Sequence, residues 1–175
     1  MKTLYIERSA GEGRNGDWAE GLDLEGVERI VVGTGPGSFA GIRSALAFAQ
    51  GYSIGSGCEV LGMPSACALA DGGRLAAIGD ARRGKFWIAL FDGMRLEKPI
   101  FQTEAESLFE QVPAGARVVT PDEERIGEKL SEIFGERYAG GRKPTPEGLE
   151  RFAAANPGVL AKEPLPIYLN PAVRP

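Results

Sequence analysis

Short apolar runs, separated by glycine-rich and charged stretches, divide the first half of the chain. Lys2–Glu7 and Val27–Gly33 have the apolar, β-branched composition of strands. Apolar residues then recur at the spacing of one helix face, at Ile42, Ala45, Leu46 and Ala49. "CEVLGM" predicts a further strand, and a short helix is expected to begin at Pro64. The predicted order is therefore strand, loop, strand, helix, strand, helix.

The second half has a different pattern. Residues 74–103 predict three antiparallel strands, with turns at "DARRG" and "DG". Thr103 and Glu106 fit a capping box that opens a helix, and "ARVVTP" predicts another strand. A second helix is expected to close at Gly135, and a third to begin with Thr145 as its N-cap.

The element order predicts an α/β fold. Three antiparallel strands, a helix, a strand and one or two helices form a ribonuclease-H-like unit, and the first half resembles the same unit without its second and third strands. Two such units in tandem make an actin-like fold with a truncated first half. The expected boundaries are residues 1–73, residues 74–165 and an extended tail over 166–175.

Composition narrows the classes of function. The chain is 43% hydrophobic and 25% charged, with a net charge of −4, so it has no long-range attraction to nucleic acid. No apolar stretch reaches the length of a membrane span, and the first residues do not have the pattern of a signal peptide. Two cysteines without a CxxC spacing indicate reduced core residues, and we expect a cytoplasmic protein.

The sequence contains no histidine, which excludes Ser-His-Asp and Cys-His nucleophile pairs and histidine-based zinc sites. Any catalysis would have to use carboxylates, lysine, backbone amides or a carboxylate-bound metal. Since a P-loop lysine and a phosphate-binding hairpin are also missing, we predict no catalytic residue, no metal site, no cofactor and a protein that is not an enzyme.

The segment "GTGPGSFAGIR", residues 33–43, allows two interpretations. A helix N-terminus after a glycine turn can bind an anion, with Gly35, Gly37 and Ser38 as the candidate contacts. Alternatively, the glycines permit a sharp turn and close strand–helix packing, with positive φ at one or more of Gly35, Gly37 and Gly41. The segment has no P-loop lysine. We favour the structural turn.

Two carboxylates support an alternative function. Glu7 and Asp80 each end the first strand of their half, where a nucleotide- and Mg²⁺-dependent actin-fold enzyme holds its metal. Asp80 is more simply a turn residue that accepts a hydrogen bond from its own backbone. Arg82 and Arg83, which follow it, can contact a phosphate or a partner's carboxylate, or can lie on a solvated turn.

Several motifs together resemble one family. "GPGSFAGIRSALAFAQG" resembles the GPGSFTGLR-type segment of the TsaB (YeaZ) proteins. "MPSACALA", "GDARRGKFWIALF" and "PIYLNPAV" are similar to the family's next helix, its DAR turn with the following strand, and its terminal segment. The matches are colinear and include Asp80, Arg82 and Arg83.

The resemblance implies an actin-like fold and a non-catalytic subunit in the synthesis of threonylcarbamoyladenosine in tRNA. It implies binding to the catalytic paralogue TsaD, and with it to the ATPase TsaE, and possible self-association as a homodimer. A diverged interaction module that no longer serves tRNA modification is a third alternative.

The chain also departs from the family's pattern. Glu7 replaces an aspartate, and residues 9–26 are too short for two further strands and a helix. In the family, that helix and the helix after the glycine segment build the partner-binding surface. We therefore predict an interface that includes Arg43, Phe48 and Tyr52. The alternative is that the short loop, through Trp18, covers these aromatic side chains within one chain.

Overall fold

The computed structural model describes residues 1–11 and 16–169. In chain order, its helices and strands are β1 (Lys2–Ile6), β2 (Val27–Gly33), α1 (Phe39–Ser56), β3 (Glu59–Met63), β4 (Arg74–Arg82), β5 (Lys85–Asp92), β6 (Arg95–Leu96), β7 (Phe101–Glu104), α2 (Leu108–Gln111), β8 (Arg117–Thr120), α3 (Glu123–Phe134), β9 (Tyr138–Gly141) and α4 (Pro146–Ala155). Short 3₁₀ helices occur at Gly16–Ala19, Ser65–Leu69, Ala105–Ser107, Gly135–Arg137 and Pro157–Val159.

These elements form two compact units. The first comprises Met1–Ala68 and Thr145–Ile167, and the second comprises Leu69–Pro144 and the described end of the chain from Tyr168. The boundaries expected from the sequence place residues 145–165 in the second half and residues 166–167 in the tail, whereas the structure groups Thr145–Ile167 with the first unit. Gly148 of α4 explains the close packing there, since a Cβ at this position would lie 2.4 Å from the Ala68 carbonyl oxygen.

The sheet of the first unit has three parallel strands in the order β1-β2-β3. Helix α1 connects β2 with β3 and buries the four residues predicted for its inner face, Ile42, Ala45, Leu46 and Ala49. Ser38 caps its first turn, and Gly57 ends it in the left-handed conformation with φ 72°. The strands and the helix face predicted for this half are confirmed.

The sheet of the second unit is mixed, with the order β6-β5-β4-β8-β9 and β7 also paired with β5. β4 is antiparallel to β5 and parallel to β8, which is parallel to β9. The path β4-β8-β9 thus repeats the all-parallel path β1-β2-β3 of the first unit, which has no counterpart of β5–β7 among the described residues. This is the difference between the halves that the element order predicted.

Two local predictions for the second unit are wrong, and one strand was missed. Thr103 does not open a helix, because it belongs to β7 and pairs with Phe86 of β5, and α2 begins only at Leu108. The third antiparallel strand is divided into β6 and β7. Strand β9, "YAGG", was not predicted, because its two glycines are typical of a loop. At β7 and β9, pairing with strands β5 and β8 overrides the local signal.

The tail contains no regular element over residues 166–169, and Ile167 N–H donates to the Thr34 carbonyl oxygen at 2.8 Å. Residues 170–175 of the predicted extended tail lie outside the described residues. Over residues 1–11 and 16–169, the chain forms no helix with the length and apolar character that crossing a bilayer requires.

Candidate functional site

The glycine segment is held against the end of β1. A Cβ at Gly37 would lie 2.4 Å from the Ser9 carbonyl oxygen, and one at Gly41 would lie 2.1 Å from that of Arg8. The φ angles of Gly35 and Gly37 are +99° and +157°, so the predicted positive φ is confirmed. Only glycine fits this contact between the loop and residues 8–9.

Two of the three candidate anion contacts already donate within the chain. The Gly35 amide donates to Ser65 Oγ at 2.9 Å, and the Ser38 amide donates to the Ser9 carbonyl at 2.7 Å. The Ser38 hydroxyl oxygen accepts from the Gly41 amide at 3.2 Å as the N-cap of α1. The geometry therefore favours a structural turn over a phosphate cradle.

The Glu7 carboxyl group packs against Gly33, the first residue of the glycine segment. A Cβ at Gly33 would overlap Glu7 Oε2, so this glycine makes room for the carboxyl group. Oε1 accepts from the Ser9 amide at 2.6 Å, while Oε2 is buried and no donor of the described residues meets it at hydrogen-bond geometry. Burial raises the pKa of Glu7, and interactions with Ser9, Ser65 and Arg8 partly oppose this rise.

Asp80, the other carboxylate of the alternative function, belongs to the second unit. Its Oδ1 accepts from the Arg82 amide at 2.7 Å, which confirms the predicted turn contact. Its Oδ2 lies 3.5 Å from Arg125 Nε and 3.6 Å from Arg82 Nη1. Asp80 uses both carboxyl oxygens in contacts within its own unit, whereas Glu7 uses only Oε1. Among the described residues, no three metal-ligating side chains come together.

Phe48 and Tyr52 are half-buried rather than exposed. The Trp18 ring meets the Phe48 ring edge-on, with centroids 5.3 Å apart, and Phe48 stacks on Tyr52 at 6.5 Å. The Tyr52 hydroxyl donates to the Leu24 carbonyl at 2.9 Å. The loop between β1 and β2 therefore covers these rings, as the alternative interpretation described, while Arg43 remains exposed.

The exposed face of α1 is nearly uncharged, and sequence reasoning missed its extent. It consists of Phe39, Ala40, Arg43, Ser44, Ala47, Gln50, Gly51, Ile54 and Gly55. Arg43 is the only charged residue of the 18 in this helix. Phe39 is 53% exposed and Ile54 is 89% exposed. Counting charges along the helix, in addition to apolar spacing, would have revealed this face, since a solvated helix face is usually charged.

The fold defines a class: a tandem ribonuclease-H-like, actin-like α/β protein with a shortened first half. Comparison with solved structures supports this fold class. Two structures of YeaZ-like proteins from Pseudomonas aeruginosa match with TM-scores of 0.61; one, at 25% identity, covers 85% of this chain and 78% of that chain. The other, described as an uncharacterized protein with similarity to peptidase YeaZ, is 24% identical, with coverage of 86% and 77%. The predicted fold class is confirmed.

A family model described as "TsaD: tRNA N6-adenosine threonylcarbamoyltransferase" matches residues 19–110, more than half of the chain. An uncharacterized Mycobacterium tuberculosis protein is 29% identical over 152 residues, which are 85% of this chain and 67% of that protein. The Escherichia coli K12 protein TsaB is 32% identical over 75 residues, which are 38% of this chain and 32% of that protein. The chain belongs to the family that this model describes, and these matches confirm its resemblance to the TsaB (YeaZ) proteins.

Proposed function

We propose that this protein is a non-catalytic TsaB-like subunit in the synthesis of threonylcarbamoyladenosine in tRNA, and that it acts by binding a TsaD-type catalytic subunit. Family membership supports the process, and the exposed face of α1 supports the role as a binding subunit. The binding role rests on this face alone.

Two sides of helix α1 are covered by other parts of the chain, and its outer side is exposed. Its inner side packs on the sheet, and its flank at Phe48 is covered by Trp18. Its outer side carries Phe39 and Ile54, and apart from Arg43 and Gln50 the exposed residues between them are small. Small side chains let a second helix approach closely, and Phe39 and Ile54 supply apolar area that a partner would remove from water.

A non-enzymatic role agrees with the groups available for chemistry. The chain has no histidine. Of the carboxylates of the alternative function, Asp80 accepts from the Arg82 amide in its own turn, and Glu7 accepts through Oε1 from the Ser9 amide. We also propose that a TsaE-type ATPase joins through the TsaD-type subunit. The isolated chain is proposed to form a homodimer through the same face of α1. We expect the protein to act in the cytoplasm, where tRNA is modified.

Co-purification with the TsaD-type subunit of the same organism tests the proposal. We expect wild type to retain the partner and Ala47→Glu to lose it, because the new charge would lie at the centre of the exposed face. Ala154→Glu is the matched control, since Ala154 is also an exposed alanine in a helix, α4. Failure of wild type to bind, or equal binding by Ala47→Glu, would contradict the proposal.

Two further measurements separate the alternatives. Light scattering of the isolated chain, with Ala47→Glu beside wild type, reports a homodimer through this face. ATP hydrolysis with Mg²⁺ tests the enzyme alternative. Turnover that Glu7→Gln and Asp80→Asn both abolish would replace the subunit proposal with the enzyme.

A further inference from the structure

The turn between β4 and β5 places two arginines in an unusual backbone conformation. Arg82 and Lys85 form the last pair of the hairpin, so Arg83 and Gly84 are its two-residue loop. The φ angles of Arg82, Arg83 and Gly84 are 67°, 54° and 78°. Loops of this kind favour asparagine followed by glycine, because an L side chain rarely adopts positive φ. Neither arginine is the residue that the turn geometry favours.

Contacts at the base of the hairpin hold this conformation. Asp80 Oδ1 accepts from the Arg82 amide at 2.7 Å, and the Asp80 amide donates to Asp122 Oδ2 at 2.8 Å. Arg125 of α3 forms ion pairs with both carboxylates. The strained backbone is thus fixed by its surroundings, a condition under which strain is often retained for function.

The side chains of Arg82 and Arg83 are exposed to solvent. The Arg82 side chain is 67% exposed and lies 3.6 Å from Asp80, a weak contact. Arg83 is exposed and forms no ion pair or hydrogen bond within the described part of the chain. Lys85, the next cation, is already paired with Glu104 at 2.9 Å.

We propose that the Arg82–Arg83 turn is a binding surface for an acidic segment of a partner protein, whose carboxylates pair with the two guanidinium groups. Guanidinium groups bind carboxylates in a planar, two-pronged geometry, which a rigid turn orients in advance. RNA is disfavoured as the occupant. Two arginines are few beside the roughly 6–10 phosphate contacts of a strongly bound nucleic acid.

The test is a titration of ¹⁵N-labelled protein with an octaglutamate peptide, followed through the amide signals of residues 82–84. We expect these signals to shift with octaglutamate and not with a glycine-serine peptide of equal length. The variant Arg83→Asn should bind octaglutamate at least about threefold more weakly, since it removes one charged contact. It should also melt at a higher temperature than wild type, because asparagine tolerates the left-handed conformation.

Arg74→Asn is the matched control, because it removes the same charge from the opposite end of β4. It should bind octaglutamate as wild type does. Unchanged affinity in Arg83→Asn would overturn the proposal, and so would a lower melting temperature, which would make the arginine a structural residue. Signals at 82–84 that shift with tRNA and not with octaglutamate would overturn it in favour of RNA.

Discussion

Replacing Gly41 by alanine should destabilise the protein, although alanine is the better helix former. Gly41 lies in the first turn of α1, where its backbone meets the end of β1. The new Cβ would lie 2.1 Å from the Arg8 carbonyl oxygen and 3.1 Å from its carbon. Since the oxygen belongs to the backbone, the helix or residues 8–9 must move to accommodate the methyl group.

The expected decrease in the free energy of unfolding follows from three contributions. Overpacking costs about 1–3 kcal/mol. Disturbing the bond from the Ser38 amide to the Ser9 carbonyl costs about 1 kcal/mol more. The higher helix propensity of alanine returns up to about 1 kcal/mol. The net expectation is a loss of about 1–3 kcal/mol in the free energy of unfolding.

Gly51→Ala is the matched control in the same helix. Nothing lies within 4 Å of a Cβ at Gly51, so this variant should gain about 0.5–1 kcal/mol from propensity alone. Urea unfolding followed by far-UV circular dichroism and tryptophan fluorescence measures both variants. The reasoning is refuted if Gly41→Ala is as stable as wild type, or if both variants lose equally.

Three other substitutions test the remaining interactions. Burial raises the pKa of Glu7 above its ordinary 4.5, so the native state binds this proton more tightly and loses stability as pH rises through the folded pKa. The stability of Glu7→Gln relative to wild type, measured by urea unfolding, should therefore increase as the pH rises above 4.5, and a difference that does not change with pH would contradict this. Burial alone would raise the pKa of Asp71, but hydrogen bonds from Arg142 and Arg117 lower it to about 2. The ionised carboxylate therefore stabilises the folded state above pH 3.8, and this stabilisation is lost as the pH falls through about 2. Asp71→Asn should cost about 1 kcal/mol at neutral pH after solvent screening, and nothing near pH 2; an equal cost at both would refute the ion-pair explanation. Trp18→Ala should cost about 2 kcal/mol and increase binding of a hydrophobic dye, because it uncovers Phe48; unchanged dye binding would show that the ring is covered otherwise.

Much of the first unit could be predicted because its signals are local. The apolar spacing of Ile42, Ala45, Leu46 and Ala49 follows from the helix period, and burial of these four side chains is what the period indicates. Thr145 caps α4 through its own side chain, which accepts from the Gly148 amide. The role of the glycine segment was only half predictable. Its positive φ is a local property, whereas the overlap at Gly41 depends on where residues 8–9 pass.

The sequence by itself determined the order of strands and helices in the first half of the chain, the inner face of α1, the hairpin turn after Asp80 and the absence of histidine chemistry. Each of these depends on residue type and spacing within a few positions. Only the tertiary structure decided that Thr103 joins a strand, that Trp18 covers Phe48, and that α4 belongs to the first unit. These outcomes depend on contacts between residues distant in the chain, where pairing and burial outweigh local preference because they remove more polar backbone and apolar surface from water than a cap or a turn does.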